Sequence, residues 1–377
     1  MRDVFTASPE VLCAGESNEV FLPVVGASSV LVLDGRSHLA QRKLLLPAFH
    51  GEYLQRFEQE MREAARAEIS GWPLDGVLEL WPRMQTVTLD VIVRVVFGMD
   101  AGPRRELMTA AIKRLVATVS RPAMLSLVSL VPRRGLSAIG RRGPLATVMR
   151  PVEQLLAREI EDRRRVDGDG QDLLSRLLQA RDESGRALSD GELRDTLVTV
   201  LLAGHETTAT AMAWVLERLM REPAAMEHAS EDARYLRAAI VETLRLRPIA
   251  PIVLRRVKRE IEIDGVVVRP GCDVAPCPLL LHVREDVHPD PHRFEPERWL
   301  ERTPGTYEWV PFGGGARRCL GAAFAMLEMQ TVLGEILASV QLSAAEPAAE
   351  QPIRRSVTLA PTRSARARIR RREQVIV

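Results

Sequence analysis

One cysteine stands in a setting that favours metal chemistry. Cys319 ends the glycine-rich run Phe-Gly-Gly-Gly-Ala-Arg-Arg-Cys at 312–319, and a helical pattern follows at once. The dipole of that helix, its free amides and the charges of Arg317 and Arg318 should lower the pKa of the thiol and favour the thiolate. The glycines let the backbone and a bulky planar ligand approach the sulfur. A lone cysteine is more often an inert buried thiol, but this loop predicts a metal-ligating thiolate with no second protein ligand nearby.

Three familiar functional signatures fail on single residues. The glycine run lacks the lysine and the serine or threonine of a phosphate-binding loop, and Arg318 occupies the place of the last glycine of GxGxxG. His205 and Glu206 could begin the HExxH site of a zinc protease, but position 209 is alanine. The sequence therefore excludes these three kinds of site.

A second group of functional residues lies inside the longest helical pattern, at 203–208 (Ala-Gly-His-Glu-Thr-Thr). A glycine in a helix costs roughly 1 kcal/mol, so Gly204 indicates a packing or ligand reason. Thr207 can donate its hydroxyl hydrogen to the carbonyl of Ala203 or Gly204 and open the helix locally. Glu206 beside it supplies an acid. A kinked core helix and a catalytic segment remain equally open on these residues alone.

Two pairs of charged residues have helical spacing. His38 and Arg42, four residues apart, share a helix face and would suit a dianionic edge. Glu242 and Arg245, three residues apart, also share a face. Surface pairs of this kind contribute little to stability. In isolation, each pair is most simply a solvated helix face.

Taken together, these motifs resemble those of the cytochrome P-450 superfamily and occur in the family order. The cysteine loop matches the superfamily pattern Phe-x-x-Gly-x-Arg-x-Cys-x-Gly at Phe312, Gly315, Arg317, Cys319 and Gly321. The central segment matches its small-Gly-x-acid-Thr signature, and the charged pairs match its HxxxR and ExxR motifs. Haem held by a cysteine thiolate is an established property of these enzymes. The resemblance implies a mainly α fold with small β-sheets, in which haem lies between a long central helix and the cysteine loop.

The resemblance implies a role for each matched residue. Cys319 would be the axial ligand of haem b (iron protoporphyrin IX), within the loop that Phe312 and Gly321 define. Thr207 and Glu206 would deliver protons during dioxygen activation. The expected propionate ligands are His38, Arg42, Arg317 and Arg255, the last ambiguous with the adjoining Arg256. The expected buried network that supports the cysteine loop consists of Glu242, Arg245 and Arg298.

The side chains expected above the haem are less specific. Ala203, in the central segment, would contact the cofactor and the substrate. The other expected lining residues follow the ExxR helix and are Ile249, Ala250, Ile252 and Val253. Plain core packing explains these four residues nearly as well.

The elements that must position these residues are mostly helical. Ser189 and Glu192 fit a capping box, and a proline-free pattern runs from there to Pro223, on the order of 45 Å of helix. Because its apolar residues cover more than one face, this helix should cross the middle of the molecule. Residues 52–70 also predict a helix. Residues 84–97 are rich in Val and Thr, so a strand is possible, but the length of the run favours a buried helix. Strands are predicted within 260–268, 272–276 and 356–372.

Composition bounds the class of protein. The 377 residues are 46% hydrophobic and 27% charged, enough for a substantial core. The 52 basic and 50 acidic residues nearly balance, so no nucleic-acid partner is expected. No apolar stretch approaches the ~20 residues of a membrane span, and the N-terminus lacks a secretory signal pattern. Four cysteines without a CxxC pair argue against a disulfide scaffold. We expect one domain over residues 1–377 in a cytoplasmic monomer.

The implied function is that of a bacterial-type haem-thiolate monooxygenase. It would insert one oxygen atom from O2 into a small apolar substrate, by hydroxylation or epoxidation. No electron-transfer module is visible, so ferredoxin and its reductase, or a similar donor, would act in trans. The loops near residues 20–35 and 121–132 would decide the substrate, which the sequence leaves open.

The position of His38 in the chain is the basis of an alternative to the monooxygenase function. Members of the family carry several tens of residues before this histidine, so the chain is expected to be N-terminally short. The alternative function is a P-450-like haem-binding protein that lacks monooxygenase activity because of the truncation. A peroxide-driven oxygenase is disfavoured because Glu206 and Thr207 are both present.

Overall fold

The helices of the computed structural model hold most of the described chain, which comprises residues 1–49, 51–121, 128, 131, 135–136, 144–165, 170–355 and 357–371. The helices are α1 (Arg2–Thr6), α2 (Leu22–Val25), α3 (Gly35–Leu45), α4 (Glu52–Gln55), α5 (Glu58–Ser70), α6 (Leu80–Phe97), α7 (Pro103–Val119), α8 (Pro144–Arg165), α9 (Leu173–Gln179), α10 (Asp190–Arg221), α11 (Pro223–Glu231), α12 (Ala233–Leu246), α13 (Pro278–His282) and α14 (Ala322–Ser339). Short 3-10 helices are Glu16–Phe21, Leu46–Phe49, Pro296–Trp299 and Gly315–Arg317. Most of the expected substrate loop at 121–132 lies outside the described residues.

The strands in the described part of the chain are short, and all their pairings are antiparallel. They are β1 (Leu12–Cys13), β2 (Val77–Glu79), β3 (Arg255–Val257), β4 (Ile261–Ile263), β5 (Val266–Val268), β6 (Asp273–Val274), β7 (Val340–Ala344), β8 (Pro352–Arg355), β9 (Thr358–Pro361) and β10 (Arg366–Arg371). The described sheets have the orders β1-β3-β6, β2-β10-β7, β4-β5 and β8-β9. The expectation of a mainly α fold with small sheets is confirmed.

The central helix α10 forms as the sequence predicts. Ser189 caps its first turn and Glu192 reaches back to the Ser189 backbone, so both halves of the capping box are present. The helix packs most extensively on α6 and also contacts α12, α14 and β9. Its second half is buried almost all round, with Trp214 fully enclosed. This helix therefore crosses the core and brings the segment 203–208 into the middle of the molecule.

The predicted helix at 52–70 is wrong in one respect, because the chain breaks it at Arg56 and Phe57 into α4 and α5. The rings of Tyr53 and Phe57 meet edge to face with centroids 5.0 Å apart, and the Tyr53 hydroxyl donates to the Gln171 carbonyl at 2.8 Å. The hydrogen bond to Gln171 attaches α4 to the residues just before α9, whereas the ring contact is local. The predicted helix at 84–97 is confirmed and begins earlier, at Leu80.

The predicted strands at 260–268 and 272–276 form where the turn residues indicated. The single strand predicted within 356–372 is wrong, because a turn with positive φ at Ser364 and Ala365 separates β9 from β10. Asp264 and Gly265 both have positive φ, 51° and 77°, as a tight turn between β4 and β5 requires. In β10, the arginine side chains at alternate positions are exposed while Ala367 and Ile369 are fully buried. The described helices include none that is long and apolar enough to span a bilayer.

Candidate functional site

The glycine loop brings Cys319 to the start of α14. The Cys319 amide donates to the Phe312 carbonyl at 2.9 Å and closes the loop. Gly315 has φ 62°, and a Cβ there would lie 1.9 Å from the carbonyl oxygen of Phe5. Only glycine fits at this position, because α1 lies directly against the loop. The backbone path that presents the thiol is therefore set by contact with Phe5.

The thiol of Cys319 is both accessible and desolvated. The residue is exposed to solvent, yet burial by surrounding protein atoms raises the pKa of its thiol. A sulfur that faces a cleft inside the protein satisfies both observations, because a cleft admits solvent while protein atoms surround the thiol on most sides. The expected lowering of this pKa is wrong: a hydrogen bond from the Gly321 backbone and the charges of Arg42 and Arg318 do lower it, but desolvation outweighs them.

Four basic side chains gather beside this loop. Arg42 of α3 donates to the Arg318 carbonyl at 2.7 Å. His38, one turn earlier on the same helix, is 2% exposed. Burial and then the charges of Arg317, Arg42 and Arg255 lower the pKa of His38 to about 4, so the ring is neutral at neutral pH. Arg255 of β3 is buried, and desolvation followed by the charge of Arg317 lowers its pKa to about 10. We call His38, Arg42, Arg255 and Arg317 the basic cluster.

One carboxylate, Asp34, interacts with the basic cluster. Arg317 forms an ion pair with Asp34 at 2.5 Å and donates to the carbonyls of Val30 and Leu33. The cluster thus brings three guanidinium groups and a histidine ring together against a single acid. Arg256, the other candidate at this position, instead pairs with Asp273 at 3.0 Å and is partly exposed.

The central helix has a small residue that is exposed near its midpoint. Ala203 is exposed although it lies midway along α10. Thr207 donates to the Ala203 carbonyl at 2.6 Å, one of the two bonds expected from the sequence, and the helix continues unbroken through this point. A Cβ at Gly204 would lie 3.1 Å from Ile92 Cδ1 of α6, so packing explains this glycine.

Glu206 lies next to Thr207 and is largely buried. Its Oε2 accepts from Gln85 Nε2 at 3.0 Å, and its Oε1 has no hydrogen-bond partner. Burial raises the pKa of this carboxyl, against the lowering effects of Gln85 and the Arg355 charge. Glu206 therefore retains a proton at higher pH than an exposed glutamate would. The preceding His205 is turned to Thr88, with 2.8 Å between ring Nδ1 and hydroxyl, and has a packing role.

The structure brings Glu242, Arg245 and Arg298 together in a network in which the first two are fully buried and Arg298 is partly buried. Glu242 and Arg245 are both 0% exposed and form two hydrogen bonds, each 2.8 Å long. Arg298 Nε donates to Glu242 at 3.1 Å, and Trp299 Nε1 donates to it at 2.7 Å. The remaining donors of Arg245 reach backbone carbonyls, among them that of His282 at 2.7 Å. Every charge in this network has a close partner.

His282 links the network to the cysteine loop, and sequence reasoning missed it. Its Nε2 accepts from the Val310 amide at 2.9 Å, two residues before Phe312. Trp309 Nε1 donates to the Val241 carbonyl at 3.0 Å on the other side. Trp299 was also missed, although it directly follows Arg298 in the sequence. The histidine carries no comparable sequence signal, because its partner is a distant backbone amide.

The residues expected to line a substrate pocket lie in different environments. Ile249 is 8% exposed within the main core, and its carbonyl accepts from the Leu359 amide at 3.0 Å. Val253 packs with Phe5 in a smaller cluster near the cysteine loop. Ile252 is 48% exposed, and Ala203 is also exposed.

The donor set fits haem. The exposed Cys319 would supply a thiolate to haem iron, and the basic cluster offers donors that suit two carboxylates. No group of three or more histidine, cysteine, aspartate or glutamate side chains that could hold a bare metal ion occurs among the described residues. Cys319 and the basic cluster therefore suit an iron ion that is already bound in a porphyrin ring with carboxylate side chains.

Comparison with known proteins identifies the same family. Residues 23–365 match the family model of cytochrome P450. The chain is 39% identical to putative cytochrome P450 135B1 of Mycobacterium tuberculosis, over 98% of this chain and 80% of that protein. It is 37% identical to putative cytochrome P450 137 of the same species, over 98% and 78%.

Solved structures show the same fold. The retinoic acid-bound cyanobacterial CYP120A1 superposes with a TM-score of 0.82 at 23% identity, covering 98% of this chain and 87% of that one. The haem domain of cytochrome P450DA superposes with a TM-score of 0.81 at 23% identity, covering 94% and 82%.

Proposed function

The chain belongs to the cytochrome P450 family, and on that premise we propose that it is a haem-thiolate monooxygenase that inserts one oxygen atom from O2 into a small apolar substrate. The observation that carries the proposal is the convergence of the Cys319 thiol with the basic cluster. Haem is the cofactor of this family. When bound, it supplies the redox-active iron at which dioxygen is activated.

We assign haem binding to Cys319 and the basic cluster. Cys319 provides the thiolate ligand, and a bound iron cation would offset the desolvation that raises the pKa of the free thiol. Arg42, Arg255 and Arg317 bind the propionates through charge-assisted hydrogen bonds, and neutral His38 contributes a ring donor. Arg255 is preferred to Arg256 because it is buried in the cluster while Arg256 has its own acid.

We assign proton transfer to Thr207 and Glu206. The Thr207 hydroxyl donates to the Ala203 carbonyl, which leaves its oxygen free to accept from water or substrate. Glu206, with a raised pKa and one unpartnered oxygen, can hold the proton to be delivered. The exposure of Ala203 leaves room for a substrate beside this pair, and Ile252 is the other exposed side chain that we assign to the pocket.

Replacement of Thr207 by alanine tests this assignment. We expect Thr207→Ala to bind haem normally and to lower product formed per NADPH by at least about tenfold, with the lost electrons recovered as peroxide. Thr208→Ala is the matched control, because that neighbouring threonine is buried on another face of α10. Product yield and peroxide are measured with surrogate ferredoxin and reductase and a responding substrate. Unchanged coupling in Thr207→Ala would remove the threonine from the mechanism.

We propose that electrons arrive from a separate acidic ferredoxin at the face around Arg318. Arg318 is exposed directly before the thiol, and its carbonyl is fixed by Arg42. An acidic partner would be attracted by this exposed charge. Arg318→Glu should slow reduction by ferredoxin and leave the haem spectrum intact, whereas Arg259→Glu, at another exposed arginine, should change neither the reduction rate nor the spectrum. Equal reduction rates in the two variants would refute this docking face.

A further inference from the structure

Asp34 lies at the N-cap of α3 but does not cap that helix. An aspartate at this position ordinarily accepts hydrogen bonds from the amides of its own first turn. Here the side chain makes no such bond. Its Oδ1 accepts from the amides of Ala14 and Gly15 at 3.1 and 2.8 Å, and its Oδ2 accepts from the amide of Glu16 at 2.9 Å. The carboxylate therefore caps the distant 3-10 helix Glu16–Phe21.

These three consecutive amides form a concave anion-binding site, a nest, that the chain fills with its own acid. The same carboxylate pairs with Arg317, two residues before Cys319. Arg317 adds hydrogen bonds to the carbonyls of Val30 and Leu33. One acid and one guanidinium thus hold both ends of residues 14–34, which we call the 14–34 segment.

The two ends of the 14–34 segment also touch each other. A Cβ at Gly15 would lie 2.3 Å from the Val32 carbonyl oxygen. The middle of the segment is attached to the central helix, since the Ser28 amide donates to Asp195 at 2.9 Å and Thr199 donates to the Ser29 hydroxyl at 2.7 Å. The segment therefore bridges α10 and the cysteine loop, the two elements on either side of the proposed haem.

We propose that Asp34 is a positioning residue that holds Arg317 ready for a haem propionate and fastens the 14–34 segment to the cysteine loop at the same time. Haem retention and closure of this segment then depend on one carboxylate. The part that concerns haem rests on the proposed function, while the attachment of the segment does not.

Asp34→Asn removes the charge at nearly constant shape. We expect hydrogen exchange at the amides of residues 14–16 to become at least about tenfold faster, because a neutral amide holds them less firmly. Asp286→Asn is the control, since that exposed aspartate pairs with Arg284, two residues earlier in the chain. Should Asp34→Asn fail to fold, Gly15→Ala tests the attachment by forcing the two ends of the segment apart. Unchanged exchange in the folded variant would overturn the proposal.

Haem retention, the second part of the proposal, is tested by transfer of haem from the loaded protein to apomyoglobin. Asp34→Asn should lose haem roughly tenfold faster than the unaltered protein. The double variant with Arg317→Ala should lose it no faster than Arg317→Ala alone, because Asp34 acts through Arg317. Additive effects would overturn that route of action. If the unaltered protein bound no haem, the proposed function would fail, and the exchange measurement on the haem-free protein would still decide the role of Asp34.

Discussion

Two charged regions support the cysteine loop, and they are built in opposite ways. In the network around Glu242, this one carboxylate accepts five hydrogen bonds. Two come from Nε and Nη2 of Arg245, and the others come from Arg298, Trp299 and the Glu295 amide. In the basic cluster, three arginines and His38 face one another with Asp34 as their acid. The first region is balanced internally, because Arg298 also pairs with Glu295, and it is largely buried. The second carries an excess of positive charge and of donors.

This difference separates a structural role from a binding role. A buried pair whose hydrogen bonds are all made within the protein holds its surroundings in place and has no capacity left for a ligand. Desolvated cations that lower one another's pKa are unfavourable for the protein alone and become favourable when an anion binds. The following predictions test this contrast.

The largest expected effect comes from Glu242→Ala. Its loss leaves Arg245 as a buried cation without a counterion, while Arg298 keeps Glu295, so the free energy of unfolding should fall by about 3–5 kcal/mol. Urea denaturation followed by circular dichroism measures the change. Glu183→Gln, which breaks an exposed pair with Lys43, is the control and should leave stability unchanged. A small effect of Glu242→Ala would mean that the network is not the scaffold we describe.

Arg255→Met should weaken haem binding without lowering the stability of the haem-free protein, the reverse of what a structural residue would do. The one hydrogen bond described for Arg255 goes to the neighbouring Leu254 carbonyl, and its removal relieves desolvation and repulsion from Arg317. We expect the haem-free protein to unfold at the same urea concentration or a higher one. Haem affinity should fall by about tenfold or more, as the loss of a charge-assisted hydrogen bond implies. Titration with hemin measures it, with Arg256→Met as the matched control. Loss of stability without loss of affinity would assign Arg255 to the scaffold.

The smallest expected effect is on pH dependence. The pKa of His38 lies near 4 in the folded protein, mainly through burial and then through the three arginines, against 6.5 ordinarily. The unfolded chain therefore binds more protons between pH 4 and 6.5, so stability falls as pH falls through that window. His38 contributes at most about 1.4 kcal/mol per pH unit to this slope. His38→Gln should flatten the dependence in urea denaturation of the haem-free protein, and the exposed His292→Gln provides the comparison. If stability depended on pH equally steeply in His38→Gln and in the unaltered protein, the folded protein would not hold the His38 ring neutral.

The sequence predicted the parts that depend on local pattern. The capping box at Ser189 and the continuous helix that follows are short-range features, and both are present. The hydrogen bond of Thr207 to the preceding turn is equally local. The resemblance carried the rest, since nothing in the spacing of Glu242 and Arg245 distinguishes a buried network from a solvated pair.

What the sequence could not provide depends on distant contacts. The predicted helix at 52–70 breaks because Tyr53 contacts a residue more than a hundred positions away. The raised pKa of Cys319 follows from desolvation by many segments, while the sequence revealed only the charges that oppose it. Asp34 carried no signal for the same reason, because three of its partners are amides some twenty positions earlier.

Ligation of haem iron by Cys319 is the central claim, and the spectrum of the reduced protein with carbon monoxide tests it most directly. We expect the unaltered protein, loaded with haem, to show the strongly red-shifted Soret band of thiolate-ligated haem, and Cys319→Ala to lack it. The same band in Cys319→Ala, or no haem bound by the unaltered protein, would contradict the account.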